Sequence, residues 1–447
     1  MRGHSSSKPQ RIECLFAFLL LASIVCALVH LGRQGYLPQP FYYQIGASEM
    51  DLYSTAYWAY HQGAYTVWHS LYPPISFDFL RLFTVPACYF ADEATGRRCD
   101  PIASIFLYGM FLLNLVLVWL TYRRVDRLTA IPRTIAVAAG LPMLYALERG
   151  NLLIPCFTAF VLGAGTLVSS PVWRKVALAV SVNFKPYLLV VILPAVARRD
   201  WRWLLGFGVI GLLIYGVTFL LQGDGTPAQL LTGMGAYAGG KQDALWANLY
   251  FSTSYWPLIR FLEARQAFAA TMGPRSIAII GGCLVGLMRM AQIGSAGCMV
   301  AAIARPSRID ANRFMALYAA LIFTTVTNGS SGYAQFFLYF LVFLEPWRGA
   351  IRIAILISAY LLCLPADQVI WPMMHGATYS FLGGREVSYS FGVSVGQILR
   401  PGLLLVVQFG LIALNLRDSF GARDEPCGEQ TGSPHALTSV AGAFPKL

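Results

Sequence analysis

The feature that most constrains this chain is a series of apolar stretches long enough, or nearly so, to cross a bilayer. A helix needs about 20 apolar residues to span a ~30 Å hydrocarbon core. Hydrophobic residues make up 57% of the 447 residues and charged residues 12%, against about 25% charged in a soluble domain. These proportions exclude a water-soluble globule and a disordered chain. The stretches lie at 13–32, 102–121, 131–147, 151–169, 203–221, 276–304, 313–328, 333–345, 350–365 and 397–416.

The segment 174–197 is explained better by two short helices than by one span. Lys185 and Pro186 interrupt it in the middle, and basic residues flank both ends. Proline breaks the helical hydrogen-bond pattern, so we expect a hairpin with Lys185 at its apex. With this hairpin, the sequence predicts an all-α polytopic membrane protein of about twelve transmembrane helices, with both termini in the cytoplasm.

Short basic clusters support this topology, because Lys and Arg concentrate in cytoplasmic loops. All clusters lie on the cytoplasmic side if the segment 72–90 forms interfacial helices and not a span. This segment contains Pro73, Pro74 and Asp78, which argue against a span. Topology therefore explains the net charge of +12, and no nucleic-acid partner is expected. The clusters are Arg123, Arg124 and Arg127; Arg174 and Lys175; Arg198, Arg199 and Arg202; Arg305, Arg308 and Arg313; Arg348 and Arg352; and Arg417.

The domain organisation follows from the same count. Residues 1–420 are expected to form a single multi-pass domain in the cell (inner) membrane, and 421–447 a disordered cytoplasmic tail. Long loops at 33–101, 222–275 and 366–396 then lie on the extracytoplasmic face. Cys88 and Cys99 share the first of these loops and could form a disulfide if that face is oxidising.

Acidic residues in the first long loop are candidates for chemistry. Asp51 follows the first span, and Glu49 lies two residues before it. An isolated acid in a loop is often only solvated. Aromatic side chains are dense after Asp51, and they could hold a sugar or form an ordinary belt at the membrane surface. They are Tyr53, Tyr57, Trp58, Tyr60, Tyr65, Trp68 and Tyr72.

Two further positions carry charge that topology does not explain. Glu148, Arg149 and Asn151 form a compact polar turn between two apolar runs. The pair could simply cap the helices, or Arg149 could bind a phosphate through two donors. Lys185 could extend to the interface as a snorkelling lysine, but we favour an anion site. Polar turns containing Asn248, Tyr255 and Gln335 are weaker substrate-binding candidates, since most such turns are plain connections.

Together these residues place one carboxylate and several cations on one face of a helical bundle. A transferase that uses a lipid-phosphate sugar needs this set, because a base must accept a proton and cations must neutralise the leaving phosphate. Asp51 is the expected base, Lys185 and Arg149 are the expected phosphate ligands, and Glu49 is an alternative base. A monophosphate leaving group can be stabilised by Arg and Lys alone, and no carboxylate cluster suits a metal. No metal or cofactor is expected.

The order of these motifs resembles glycosyltransferase family 87, a polyprenol-phosphate-mannose-dependent, mannosyltransferase-like family of the GT-C superfamily. The resemblance covers roughly residues 45–345. It rests on Asp51-Leu52-Tyr53 continuing to Tyr72-Pro73-Pro74, on Gly150-Asn151, on Lys185-Pro186 before a basic cluster, and on Asn248 with Ser252 to Ser254. Two positions depart from the family pattern: Ser330-Ser331-Gly332-Tyr333 replaces a histidine-bearing turn, and Glu148-Arg149 replaces a Gly-Gln type of turn.

The resemblance implies a GT-C-type bundle with interfacial helices in its extracytoplasmic loops. It also implies an inverting transfer of a hexose, mannose being favoured, or a pentose from a polyprenyl-phosphate donor to a lipid or glycan acceptor. Asp51 matches the family's loop aspartate as general base, and Lys185 matches its lysine near the donor phosphate. Tyr72, Glu49, Glu148, Asn151, Asn248, Tyr255 and Gln335 complete the expected substrate contacts.

Two other functions fit parts of the sequence. A secondary transporter could have about twelve spans and a path lined by charged residues, although no internal repeat is visible. A non-catalytic relative could bind lipid-linked sugars, and other membrane lipids, on the same scaffold without turnover. The concentration of charged residues on one face favours the transferase.

Overall fold

A computed structural model describes residues 8–41, 45–239, 253–264, 273–326, 332–365 and 367–420. The expected tail at 421–447 lies outside these ranges. The described chain is mostly helical. In its first half the helices are α1 (Lys8–Gln34), α2 (Met50–Tyr60), α3 (Pro74–Arg81), α4 (Glu93–Cys99), α5 (Pro101–Val125), α6 (Ala130–Ala138), α7 (Leu141–Arg149), α8 (Leu153–Ala164), α9 (Pro171–Phe184), α10 (Leu193–Ala197) and α11 (Trp201–Gln222). In its second half they are α12 (Pro227–Gly239), α13 (Trp256–Ala264), α14 (Pro274–Ala304), α15 (Ala311–Leu321), α16 (Gln335–Val342), α17 (Ala350–Leu362) and α18 (Val395–Phe420).

Six helical segments of the described chain are long and apolar enough to cross a bilayer, which indicates a membrane-embedded protein. The predicted count of about twelve is therefore not confirmed. Several other apolar segments form helices too short to span alone; the twelve residues of α8, for example, extend only ~18 Å. The six candidates are Pro9–Gln34, Pro101–Val125, Ala130–Arg149, Trp201–Gln222, Pro274–Ala304 and Val395–Phe420.

Long and short helices differ in what surrounds them. The long helix α11 exposes Leu205, Leu212 and Leu220, each at least 70% accessible, as expected for a surface that faces lipid. The short helices α8 and α16 are instead buried and form the centre of the bundle. Phe157 of α8 packs edge to face on Phe337 of α16, with 5.2 Å between ring centroids. The short helices α8 and α16 thus lie in the core, whereas the long helix α11 lies at its surface.

The segment 174–197 breaks where the sequence predicted. Helix α9 ends at Phe184, Lys185 is its extended C-terminal cap, and a 3₁₀ turn begins at Pro186. Helix α10 then leads to the basic residues before α11. The break follows from the proline, whose preceding residue is excluded from the helical region.

In its described part, the first long loop contains short helices and no segment long and apolar enough to span a bilayer. Helices α2, α3 and α4 lie here, and a disulfide joins Cys88 to Cys99, which confirms that pairing. Asp100 caps the N-terminus of α5 by accepting hydrogen bonds from the backbone N–H groups of Ile102 and Ala103. Its second carboxylate oxygen accepts from the Tyr89 hydroxyl, so the disulfide-linked segment is tied to the start of α5.

One β-hairpin departs from the all-helical expectation. Strands β1 (Val369–Tyr379) and β2 (Glu386–Ser394) pair antiparallel within the third long loop. Gly383 and Gly384 both have positive φ between the strands, a conformation that glycine adopts without steric cost. The hairpin packs on the segment after α1, where the Gln39 side chain exchanges two hydrogen bonds with Gly392.

Buried ion pairs lie at the ends of several helices. Glu13 of α1 and Arg133 of α6 form a two-bond pair in which the side chains are 0% and 3% exposed. Glu345 accepts hydrogen bonds from both Arg313 and Arg352. The sequence interpretation treated these arginines as topology markers or did not single them out, so their pairing is a new finding.

Candidate functional site

Close backbone packing brings the first loop against the turn after α7. The backbone N–H of Glu49 donates to the carbonyl of Glu148 at 2.7 Å. Gly150 has a φ of 67°, and a Cβ there would lie 2.8 Å from the Cα of Glu49. Only glycine fits this contact. The packing sets Asp51, in the first turn of α2, beside Arg149 and Asn151.

Asp51 is held by two side chains from the turn. Its Oδ1 accepts a hydrogen bond from Arg149 Nη2 at 2.8 Å, and its Oδ2 accepts one from Asn151 Nδ2 at 2.8 Å. The Asp51 and Arg149 side chains are 23% and 18% exposed, so a ligand can reach both. A carboxylate has about four acceptor positions, and these bonds leave some of them free. The second amino group of Arg149 donates to the Ala47 carbonyl, which fixes the guanidinium.

Tyr72 connects this ion pair to Lys185. Asn151 Nδ2 also donates to the Tyr72 hydroxyl at 3.2 Å, and Lys185 Nζ lies 3.8 Å from the centroid of the Tyr72 ring. Such a contact is a cation–π interaction. Burial raises the pKa of Tyr72 well above its ordinary value, with the charge of Asp51 adding to the effect, so its phenol stays neutral. Five residues from four separate chain segments, which we name the Asp51 cluster, are thereby brought together: Asp51, Tyr72, Arg149, Asn151 and Lys185.

Lys185 lies between α9 and the following 3₁₀ turn, outside the six candidate spans. The surrounding protein desolvates its ammonium group and lowers the pKa of Lys185 to about 8, against smaller opposing effects of Cys156 and Asp51. An anion arriving beside this group would stabilise the charged form and raise the pKa of Lys185 again. Among the described residues, Lys185 thus contributes a desolvated cation that contacts the face of the Tyr72 ring.

Tyr187 is a residue that sequence reasoning missed. Its hydroxyl is buried and has no hydrogen-bond partner among the described residues. It lies close enough to Tyr72 and Tyr333 to interact electrostatically with both. The feature of the sequence that could have identified Tyr187 is its position two residues after Lys185. A buried hydroxyl without a partner can donate a hydrogen bond to a ligand that binds next to it.

Glu49 and Glu148 lie next to the cluster but make different contacts. Glu49 accepts hydrogen bonds from the Tyr108 hydroxyl at 2.7 Å and from the Ser104 hydroxyl at 3.2 Å, both on α5. Glu148 Oε1 accepts from the Ser48 hydroxyl at 2.9 Å. The sequence allowed a Glu148–Arg149 pair that caps the helices, whereas the structure shows Arg149 paired with Asp51.

The remaining candidates are not joined to the Asp51 cluster by any hydrogen bond among the described residues. The Tyr255 hydroxyl donates to the Ile398 carbonyl of α18 at 3.2 Å. Gln335 is buried at the start of α16 and accepts from the Tyr339 hydroxyl on the same helix. Asn248 lies outside the described residues. Tyr255 and Gln335, which were expected to contact substrate, are thus already hydrogen-bonded within the protein.

The side chains that converge here suit an anion better than a cation. Within the described ranges, no group of three or more His, Cys, Asp or Glu residues is placed to hold a metal ion. Arg149 and Lys185 instead supply two positive charges beside one carboxylate. Such an arrangement can bind a phosphate and accept a proton from a neighbouring hydroxyl. Comparisons with protein-family models, curated proteins and solved structures found no match for this chain.

Proposed function

We propose that this protein is a membrane glycosyltransferase of the family 87 type. It moves a sugar, mannose being favoured, from a polyprenyl-phosphate donor to a hydroxyl of a lipid or glycan acceptor on the extracytoplasmic face. The observation that carries the proposal is the Asp51 cluster, in which a carboxylate accessible to ligands lies beside Arg149 and a lysine held on the Tyr72 ring. A transporter would not require a carboxylate held in place beside two residues that bind phosphate.

The reaction follows from the charges in the cluster. Lys185 and Arg149 bind the donor phosphate and neutralise the charge that grows on it as its bond to the sugar C1 breaks. The acceptor oxygen attacks C1 from the opposite side, and its proton passes to Asp51. The products are the inverted glycoside, polyprenyl phosphate and protonated Asp51, which returns its proton to solvent. A single carboxylate suffices, whereas a retaining glycosidase needs two.

Turnover by the purified protein tests this proposal. The full chain, reconstituted in liposomes of bacterial lipid extract, receives polyprenyl-phosphate [¹⁴C]mannose, with that extract as the source of acceptors. We expect radiolabel in a new glycolipid or glycan and an equal release of polyprenyl phosphate. Movement of label across the bilayer without transfer would indicate the transporter, and tight binding of a donor that is never consumed would indicate the non-catalytic relative. A donor panel with other hexoses and pentoses separates a wrong sugar from a wrong function.

The titration of Lys185 predicts a pH dependence. The charged lysine binds the donor phosphate, and it is present below pH 8 and lost above it, because the pKa is lowered to about 8. The value of kcat/KM reports the free enzyme, so it should fall about tenfold per pH unit above pH 8. Lys185→Arg should abolish this fall, because a guanidinium stays charged and also stacks on Tyr72.

Initial rates at low donor concentration, measured between pH 6 and pH 10, check this prediction. Lys185→Met provides a second comparison, because it should show low and nearly pH-independent kcat/KM. The same alkaline fall in the Lys185→Arg or Lys185→Met protein would assign the titration to another group and would contradict the role of Lys185.

A further inference from the structure

A cavity of about 510 Å³ lies between α1, α5, α7 and the β-hairpin, and we name it the lateral groove. Helix α1 exposes Leu28 at 57%, as expected for a residue at an opening toward lipid. A hydrocarbon chain fits such a surface better than water does. The apolar lining consists of Ile24, Ala27, Leu28, Leu37, Phe41, Leu144, Leu147, Pro365 and Phe381.

The polar part of the lateral groove is dominated by two carboxylates. Glu49 and Glu148 both line it, and Arg97 is the basic residue among the lining side chains. Glu148 Oε1 accepts a hydrogen bond from Ser48, whereas Glu148 Oε2 is buried and has no partner among the described residues. A buried carboxylate oxygen without a donor is unfavourable, so the site is incomplete until a ligand supplies one.

The two carboxylates indicate which substrate the groove takes. Hydroxyl groups donate hydrogen bonds to carboxylates, whereas an ionised phosphate is an acceptor and would be repelled by a charged carboxylate such as Glu49. The phosphate ligands Lys185 and Arg149 belong to the Asp51 cluster instead. Glu49 precedes Asp51 by two residues. A hydroxyl that donates to Glu49 in the groove is therefore bound by the same chain segment that carries the proposed base.

On the basis of the proposed function, we propose that the lateral groove binds the acceptor, and that this acceptor is a glycolipid. Its hydrocarbon chain lies along α1 and α7, and its hydroxyl-rich head donates to Glu148 and Glu49. The donor, whose head carries a phosphate as well as a sugar, binds through the Asp51 cluster and not through this groove. The lateral groove therefore selects for an uncharged, polyhydroxylated head attached to a chain.

Photo-crosslinking tests this assignment without depending on turnover. The probe is hexadecyl mannoside with a diazirine in its chain, added to the full-length protein in lipid nanodiscs. We expect mass spectrometry to locate the label in peptides containing 24–28 and 144–147. Unlabelled hexadecyl mannoside should reduce labelling at least tenfold, and hexadecyl phosphate should not.

Two variants sharpen the test, each with a matched control. Leu144→Trp fills the groove and should reduce labelling tenfold, whereas Leu212→Trp on the lipid-exposed face of α11 should leave it unchanged. Glu148→Gln should weaken competition by hexadecyl mannoside about tenfold, whereas Glu93→Gln outside the groove should not. If Leu144→Trp fails to fold, the competition in the unmodified protein still decides the question.

The outcomes separate the groove from the proposed function. Specific labelling of the groove in a protein that transfers no sugar supports the glycolipid site and refutes the proposed transferase activity. Normal transfer with label spread evenly over lipid-facing helices overturns the groove assignment alone. Equal competition by hexadecyl phosphate, or by hexadecanol without a sugar, also overturns it, because the head would then not be recognised by its hydroxyl groups.

Discussion

Asp51→Asn is expected to reduce the rate of sugar transfer by about 10²- to 10⁴-fold, the range typical of a lost general base. The amide is nearly the same size as the carboxylate but does not accept the proton of the acceptor hydroxyl. Donor binding should change less, because Arg149 and Lys185 remain. The measurement is kcat with saturating polyprenyl-phosphate mannose, together with the dissociation constant of polyprenyl phosphate.

The same substitution has a structural effect that must be measured separately. Asp51 accepts from both Arg149 and Asn151, whereas an asparagine has one oxygen and can accept from only one of them comfortably. A lost hydrogen bond of this kind costs about 1 kcal/mol, too little to unfold the protein. A thermal melt in detergent should therefore show a shift of a few degrees at most.

Two matched variants identify the base. Asp78→Asn makes the same chemical change in α3 of the same loop, where the carboxylate pairs with Arg81 and not with the Asp51 cluster. It should keep nearly full activity. Glu49→Gln tests the alternative base and should lower kcat far less than Asp51→Asn. Full activity in Asp51→Asn, combined with a large loss in Glu49→Gln, would assign the proton transfer to Glu49 and refute the role of Asp51 as the base.

Arg133→Met is expected to destabilise the fold by about 3 to 5 kcal/mol, the cost of leaving one partner of a buried ion pair alone. Among the described residues, the Tyr360 hydroxyl would then be the one side-chain donor left to Glu13. The carbonyls of Phe343 and Glu345 would also lose the donor that Arg133 supplies. The measurement is the midpoint of thermal unfolding in the same detergent, with the yield of folded protein as a second readout.

A double variant distinguishes the ion pair from simple loss of volume. Glu13→Leu combined with Arg133→Met removes both charges, so it should be more stable than Arg133→Met alone. Arg127→Met, at an exposed position between α5 and α6, should change stability by less than about 0.5 kcal/mol. If the double variant is as unstable as the sum of the single variants, the charges are not coupled and the pair has no role of its own.

The sequence identified most of the Asp51 cluster because a charged side chain in apolar surroundings costs free energy and is therefore a candidate for function. Asp51, Arg149 and Lys185 are charged residues in apolar surroundings that topology does not explain, and proline placed the break at Lys185. Asn151 and Tyr72 came from neighbouring motifs. The pairing between them could not be predicted, since it depends on the backbone contact at Gly150. Tyr187 was missed because an aromatic residue within an apolar run is common and does not stand out as a candidate site residue.

Hydropathy predicted the class of the fold but not its internal arrangement. The mean hydropathy of α8 and α16 is at least as high as that of a lipid-facing span, yet both helices are short and buried in the bundle. Apolar content does not distinguish a helix that faces lipid from one that faces protein. The ion pair of Glu13 and Arg133 was missed for the opposite reason, because both lie near the ends of apolar runs, where charge is expected.

The contact between Gly150 and Glu49 limits how this protein can change over evolutionary time. The distance between the two chain segments is set there by main-chain atoms, so substitution of side chains cannot widen or narrow it. Adaptation of the proposed transferase to a larger or smaller substrate must therefore occur around the rim, for example at Tyr108, while the central spacing stays constant. Homologues with different specificities should share this glycine and differ in the surrounding aromatic residues.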